Sequence, residues 1–192
     1  MPISPWKILK SNYLRNNVRI DTCETSDGKI LEPLILEYGT WVTIVALTKQ
    51  QEVLLIKQYR HGAGKILLEL PGGAVGEGEE PIVAAKRELL EETGYTSDNI
   101  VEVGRVSPNP ASHTNLMYAY LALDVEHVGD QSLDETEEIE VFPFPLDQVI
   151  LMVKNGELLQ SLHVSTFFFA LYRLNRIVES SDRVTSSDSP IS

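Results

Sequence analysis

The segment spanning residues 67–94 constrains the fold more strongly than any other part of this 192-residue chain. It begins with a short stretch, residues 67–70, that is apolar except for Glu69 and predicts a strand, and Pro71 with the glycines after it predicts a turn and a loop. Residues 81–93 then show helical spacing, with a proline in the first turn and Gly94 in place to cap the end. A strand, a glycine-rich loop and a helix are therefore expected in direct succession.

One face of the predicted helix is strongly acidic. It carries Glu88, Glu91 and Glu92, and the first and last of these are four residues apart, where like charges repel each other. Arg87 can balance only part of this charge, whereas a divalent cation such as Mg²⁺ prefers carboxylate and carbonyl oxygens as ligands. Two interpretations stay open at this point: a metal site, or a solvated acidic face on an acidic protein.

Composition narrows the classes of function. The chain has 16 Lys and Arg against 28 Asp and Glu, a formal charge of −12, so it lacks the basic footprint that nucleic-acid binding requires. Its apolar runs fall far short of the roughly 18 residues of a membrane span, so no membrane partner is expected. No export signal is recognised at the N-terminus, which favours a cytoplasmic location. The single Cys23 precludes an intramolecular disulfide.

The complete spacing of the segment resembles the signature of the Nudix hydrolases. The shared positions, together termed here the box, are in order Gly73, Glu79, Arg87, Glu88, Glu91, Glu92 and Gly94. Tyr95 stands where an aliphatic residue is commoner, and this departure leaves every charged position intact. The resemblance implies an α/β fold, the Nudix α/β/α sandwich with a mixed sheet, preceded here by an N-terminal β-rich arm.

The resemblance also implies roles for the helix residues. In the family the carboxylates at Glu88, Glu91 and Glu92 bind metal, here Mg²⁺ or Mn²⁺ and more than one ion. The backbone carbonyl near Gly72 is a further ligand, and Arg87 holds the loop and the helix in register. The implied reaction is attack of water on one phosphorus of a nucleoside diphosphate that is linked to another moiety, with metal ions that offset the phosphate charge.

Residues 53–73, VLLIKQYRHGAGKILLELPGG, resemble the branch of the family that hydrolyses ADP-ribose and related nucleoside diphosphate sugars. Arg60 then corresponds to a contact with the substrate phosphate, and Glu69 to a polar contact near the site. A structural alternative for Arg60 is an exposed turn residue paired with a nearby glutamate.

The first 38 residues contain several short strand-like segments and are expected to form a hairpin-rich arm. Trp6 resembles the arm tryptophan that stacks on adenine in ADP-ribose pyrophosphatases, whose arms exchange between subunits, so a homodimer is implied. Core packing is the alternative for Trp6, and Trp41, inside an apolar strand, is expected in the core. Residues 39–176 would form the Nudix domain and residues 177–192 a disordered tail.

Residues 133–141 resemble the segment that carries the catalytic glutamate in these pyrophosphatases. The family segment ends in Glu-x-Ile-Glu-Val, and matching this end to residues 137–141 makes Glu137 the first candidate for the base. Glu135 is the second candidate, and Glu91 is the next to test. The alternative is that this acidic loop is only a solvated turn.

The loop of residues 107–115 departs from the ADP-ribose pattern and is closer to general nucleoside diphosphate sugar hydrolases. His113 and Asn115 would then contact the sugar or a phosphate, although a loop histidine is often merely exposed. The predicted activity is Mg²⁺-dependent cleavage of the pyrophosphate bond to a nucleoside monophosphate and a sugar phosphate. Two alternatives are a catalytically silent ligand sensor and a Nudix hydrolase for dinucleoside polyphosphates or oxidised nucleotides.

Overall fold

The N-terminal arm forms a small antiparallel sheet of its own. The computed structural model describes residues 4–177 of the chain, so the tail predicted at 177–192 lies outside the described residues except for its first residue. In the arm, β2 pairs with each of the other three strands. The strands are β1 (Lys7–Arg15), β2 (Val18–Glu24), β3 (Ile30–Leu31) and β4 (Leu34–Leu36).

The region of residues 30–38 contains two short strands, β3 and β4. Pro33 separates the two, because it has no N–H to donate to a ladder. Its carbonyl oxygen instead accepts a hydrogen bond of 3.1 Å from the backbone N–H of Asp21 on β2.

The second sheet has seven strands and is mixed, as expected. Strands β5 and β10 run parallel, and the remaining pairs are antiparallel. The strands are β5 (Trp41–Thr48), β6 (Glu52–Arg60), β7 (Lys65–Glu69), β8 (Tyr95–Thr96), β9 (Asn99–Val106), β10 (Met117–His127) and β11 (Glu140–Pro145).

Three helices cover the two faces of this sheet. Helix α1 (Pro81–Thr93) packs on one face, and helices α2 (Leu146–Lys154) and α3 (Ser161–Arg173) pack on the other. Alternate residues of β5 face opposite cores: Ile44 belongs to the α1 side and Val45 to the α2–α3 side. A strand buried on both faces explains the continuous apolar sequence. The predicted α/β/α sandwich is confirmed.

The helix boundaries follow local capping signals. Helix α1 spans the predicted residues, with Pro81 in its first turn and Gly94 in the left-handed region at φ 73°, donating its N–H to the Leu90 carbonyl. Helix α3 begins at Ser161, because the side chain of Gln160 accepts the Leu162 N–H and caps the helix. In the described part of the chain, no helix is both long and apolar enough to cross a membrane.

Candidate active site

A single guanidinium connects the acidic helix to the glycine-rich loop. On α1, Arg87 Nε and Nη2 donate to Glu79 over 3.1 and 3.0 Å, and Nη2 also donates to the Ala74 carbonyl over 3.0 Å. Arg87 Nη1 donates to Glu88 Oε1 over 2.8 Å and to Glu91 Oε2 over 2.9 Å. The pKa of Glu79 is lowered, chiefly by its hydrogen bonds from Arg87. Arg87 therefore fixes the loop and the helix in register.

The loop before the helix approaches the carboxylates very closely. The Gly72 N–H donates to Glu92 Oε2 over 2.7 Å. At Gly73 a Cβ atom would lie 2.5 Å from Glu88 Oε1, so a larger residue would displace the Glu88 carboxylate. The loop is anchored on β5, because the backbone N–H of Val42 donates to the Gly73 carbonyl over 2.9 Å. Close packing of the loop against Glu88 thus explains why position 73 is a glycine.

Burial raises the pKa of two of these carboxyl groups. Glu92 is only 3% exposed, and burial raises its pKa to about 8, with further contributions from the negative charges of Glu88 and Glu137. The Gly72 N–H opposes this rise. Burial is also the main cause of the raised pKa of Glu88, against the opposing effect of Arg87. Ionising this cluster is costly unless a further cation is present.

The oxygen atoms of the cluster suit a hard divalent cation. Among residues 4–177 no three acidic, imidazole or thiol side chains already converge in a metal-binding geometry. Each box carboxylate nevertheless has one oxygen that makes no hydrogen bond within the described chain: Glu88 Oε2, Glu91 Oε1 and Glu92 Oε1. The Gly72 carbonyl is also without a hydrogen bond within these residues, whereas its neighbours Pro71 and Gly73 accept from β5. The donor set is all oxygen and fits Mg²⁺ or Mn²⁺.

Gly72 and Glu92 line a cavity of about 580 Å³, termed here the carboxylate cavity, while Glu88 and Glu91 lie outside its described lining. Its lining brings together five of the predicted site residues: Arg60, Glu69, Gly72, Glu92 and Glu137. The fully buried Glu69 accepts two hydrogen bonds at Oε2 from Arg60, from Nε over 2.9 Å and from Nη2 over 2.6 Å. Glu69 Oε1 is buried and has no hydrogen-bond partner among the described residues. Arg60 is thus both paired with a glutamate and exposed to the cavity.

The two loop glutamates occupy different environments. Glu137 is half-buried and lines the carboxylate cavity, while Glu135 is exposed and lies outside the described lining. Glu137 is fixed by a reciprocal pair of hydrogen bonds with Asp134: its N–H donates to the Asp134 carbonyl over 2.9 Å, and its Oε2 accepts the Asp134 N–H over 3.1 Å. The structure therefore brings Glu137, and not Glu135, to the box carboxylates.

His163 is a cavity residue that sequence reasoning did not select. It lies on α3, is 6% exposed, and its Nδ1 accepts the backbone N–H of Leu70 over 2.9 Å. Burial lowers its pKa to about 3, and the positive charge of Arg60 lowers it further. A neutral imidazole thus joins α3 to the strand end that carries Glu69. In the sequence it is one histidine in an apolar helix, which gives no signal of this contact.

Three predicted contacts lie away from the carboxylate cavity. Trp6 and His113 line a separate cavity of about 450 Å³ beside the arm, termed here the arm cavity. Asn115 is buried, and its Nδ2 donates to the Gly39 carbonyl over 3.0 Å. Trp41 differs from its expected core position, because it is the first residue of β5, is half-buried and lines the carboxylate cavity.

Comparison with known proteins agrees with this geometry. Residues 38–162 match the NUDIX domain, so the chain belongs to the Nudix hydrolase family. A crystal structure of an ADP compounds hydrolase superposes with a TM-score of 0.80 at 22% identity, covering 92% of this chain and 100% of the other. The resemblance inferred from the box and the expected Nudix fold are both confirmed.

Curated relatives share most of the chain. The ADP-ribose pyrophosphatase of Bacillus subtilis (strain 168) is 28% identical over 139 residues, which are 72% of this chain and 75% of the relative. The GDP-mannose pyrophosphatase of Escherichia coli (strain K12) is 28% identical over 168 residues, covering 79% and 85%. The methanol dehydrogenase activator of Bacillus methanolicus is 26% identical over 145 residues, covering 75% and 78%.

Proposed function

We propose that this Nudix protein hydrolyses the pyrophosphate bond of ADP-ribose or a related nucleoside diphosphate sugar. The observation that carries the proposal is the common cavity lined by the buried carboxylate of Glu92 and the guanidinium of Arg60. Two relatives whose names are ADP-ribose pyrophosphatase and GDP-mannose pyrophosphatase support the substrate class. The products are a nucleoside monophosphate and a sugar phosphate.

The free oxygens of Glu88, Glu91 and Glu92, with the Gly72 carbonyl, would hold the metal ions. Bound Mg²⁺, or Mn²⁺, supplies charge neutralisation for the phosphates and lowers the pKa of a coordinated water. More than one ion is proposed, because three carboxylates and the substrate phosphates exceed the charge that one divalent ion can offset. Arg87 keeps the carboxylates of Glu88 and Glu91 in place, and the Gly72 N–H holds that of Glu92.

The remaining cavity residues bind the phosphates and move the proton. Arg60 binds a phosphate oxygen, and the buried Glu69 carboxylate aims the guanidinium. Glu137 accepts a proton from water as the water oxygen attacks one phosphorus, and the anhydride P–O bond breaks with its electron pair leaving on the other phosphate. Glu135 and Glu91 are the second and third candidates for this role.

A turnover panel with product identification tests the proposal. ADP-ribose, ADP-glucose, GDP-mannose, UDP-glucose and diadenosine polyphosphates are incubated with the protein and Mg²⁺. We expect release of a nucleoside monophosphate from at least one nucleotide sugar, and loss of this release in Arg60→Gln but not in the exposed control Glu138→Gln. Binding without turnover of any member would favour the silent sensor, and turnover of only the diadenosine compounds would favour the other nucleotide class.

We also propose that the arm, residues 1–38, pairs two copies of the chain. All nine residues of β1 are exposed, and the apolar side chains of Ile8, Leu9 and Leu14 are 57, 47 and 61% exposed. An exposed apolar strand at a sheet edge requires a partner surface. Analytical ultracentrifugation should show a dimer that Leu14→Lys shifts to monomer, whereas a monomeric wild-type protein would contradict this assignment. The expected cytoplasmic location stays a prediction.

A further inference from the structure

A row of three aromatic rings lies between the two cavities. Trp41 lines the carboxylate cavity and His113 lines the arm cavity. Tyr38 stands between them, with its ring centroid 5.6 Å from that of Trp41 and 5.3 Å from that of His113. The rings are inclined by only 37° and 34°, and Tyr38 remains 38% exposed. The row thus offers a partly exposed aromatic surface that starts in the carboxylate cavity.

The backbone holds this row rigidly. The segment that carries Tyr38 and Trp41 is hydrogen-bonded along its length to the loop that carries His113. The bonds run from Leu36 N to Ser112 O (2.7 Å), Thr114 N to Leu36 O (3.1 Å), Asn115 Nδ2 to Gly39 O (3.0 Å) and Trp41 N to Leu116 O (3.0 Å). Because these segments are already ordered, a ligand that packs here causes little loss of conformational entropy, which favours binding. Asn115 therefore supports the aromatic row rather than lining the carboxylate cavity.

The chemistry of the row suits a planar, uncharged ring. Nucleobases stack on tyrosine and tryptophan rings without requiring a particular hydrogen-bond pattern. A pyrophosphate at Arg60 and Glu92 shares its cavity with Trp41. Tyr38 lies outside the described lining of both cavities and is the next ring along the row, with its centroid 5.6 Å from that of Trp41.

We propose that the row formed by Trp41, Tyr38 and His113 is the nucleobase-binding surface of this chain, with Tyr38 as its central stacking residue. This inference rests on the proposed function and adds the part of the substrate that the box residues do not contact. It places the base on the same chain as the carboxylates. The sequence-based prediction for Trp6 instead has the base stacked on the arm.

Binding of products separates base recognition from catalysis. Isothermal titration with Mg²⁺ compares AMP and GMP with ribose 5-phosphate, which has a phosphate and a sugar but no base. We expect Tyr38→Leu to weaken AMP and GMP binding about tenfold and to leave ribose 5-phosphate within about twofold. Tyr38→Phe should retain wild-type affinity, because the ring is kept. Tyr172→Leu is the matched control, since Tyr172 is an exposed tyrosine on α3.

An equal effect on all three ligands, or none, would overturn the inference while leaving the proposed function standing. Failure of the wild-type protein to bind AMP or GMP would contradict both. Base-selective binding that depends on Tyr38, without turnover of any nucleotide sugar, would remove the proposed function alone.

Tryptophan fluorescence locates the base independently. Trp6 and Trp41 are the two tryptophans of the chain, so Trp6→Phe leaves Trp41 as the reporter and Trp41→Phe leaves Trp6. AMP should quench the fluorescence of Trp6→Phe and leave that of Trp41→Phe unchanged. The reverse result would place the base on Trp6 and overturn the assignment to the aromatic row.

Discussion

The stability of the folded protein should depend on pH through His163. This buried side chain is neutral in the fold, since its pKa is lowered from 6.5 to about 3, chiefly by burial. In the unfolded chain the imidazole regains its ordinary pKa and binds a proton as the pH falls below 6.5. The unfolded state is then favoured, so the contribution of His163 to stability is present above pH 6.5 and is lost towards pH 3.

The size of the effect follows from the two pKa values. Between pH 8 and pH 5 the protonation of His163 in the unfolded chain alone should lower the free energy of unfolding by about 2 kcal/mol. His163→Asn keeps an acceptor near the position of Nδ1 for the Leu70 N–H and removes the titrating group. The variant should therefore lose less stability than the wild-type protein on acidification, even if it is less stable at pH 8.

Urea unfolding in chelator at pH 8, 6.5 and 5 measures this difference. Comparing wild type with variant cancels the groups that both proteins share, including the acidic cluster. The exposed His127, replaced by asparagine in the same way, serves as the control. Free energies of wild type and His163→Asn that run parallel within about 0.5 kcal/mol across this range would refute the buried neutral imidazole.

Three further predictions concern the carboxylate cavity. Glu92→Gln should nearly abolish turnover, which steady-state kinetics measures. In chelator the same variant should be more stable than the wild-type protein by at least about 1 kcal/mol at pH 8 and by little at pH 5, because the raised pKa of Glu92 makes its ionisation costly as the pH rises. Urea unfolding of the metal-free proteins measures this difference. Glu137→Gln should lower kcat and kcat/KM together by about 10²- to 10⁴-fold, and the exposed Glu135→Gln should have much less effect. Gly73→Ala should raise the Mg²⁺ concentration for half-maximal activity about tenfold, because its Cβ displaces the Glu88 carboxylate, and an unchanged Mg²⁺ titration would contradict this.

Local sequence signals were sufficient for the fold and the box. Pro81 and Gly94 define the ends of α1, and the resemblance to the Nudix signature implied the orienting role of Arg87, which contacts Glu79 in the loop. The glycine at position 73 is required because Glu88 occupies the space of its Cβ, a steric reason that the motif spacing encodes. Such features are predictable because their partners lie within about twenty residues of one another.

Contacts between distant segments could not be derived in the same way. His163 meets Leu70 across 93 residues of sequence, and no periodicity in α3 distinguishes it from a core histidine. The apolar pattern of β5 predicts burial for Trp41, but this first strand residue lies where the sheet opens on the cavity. Trp6 and His113 share a cavity because the arm folds against the loop of residues 107–115, which neither segment specifies alone.

The most direct test of the central claim is hydrolysis of ADP-ribose in ¹⁸O-labelled water, with products identified by mass spectrometry. In Mg²⁺ we expect equal amounts of AMP and ribose 5-phosphate, with one ¹⁸O per turnover in one of the two phosphates, and no products in chelator. Formation of ADP and ribose, incorporation of the label into the sugar carbon, or full activity in chelator would contradict a metal-dependent attack of water on phosphorus at the Glu88–Glu92 cluster.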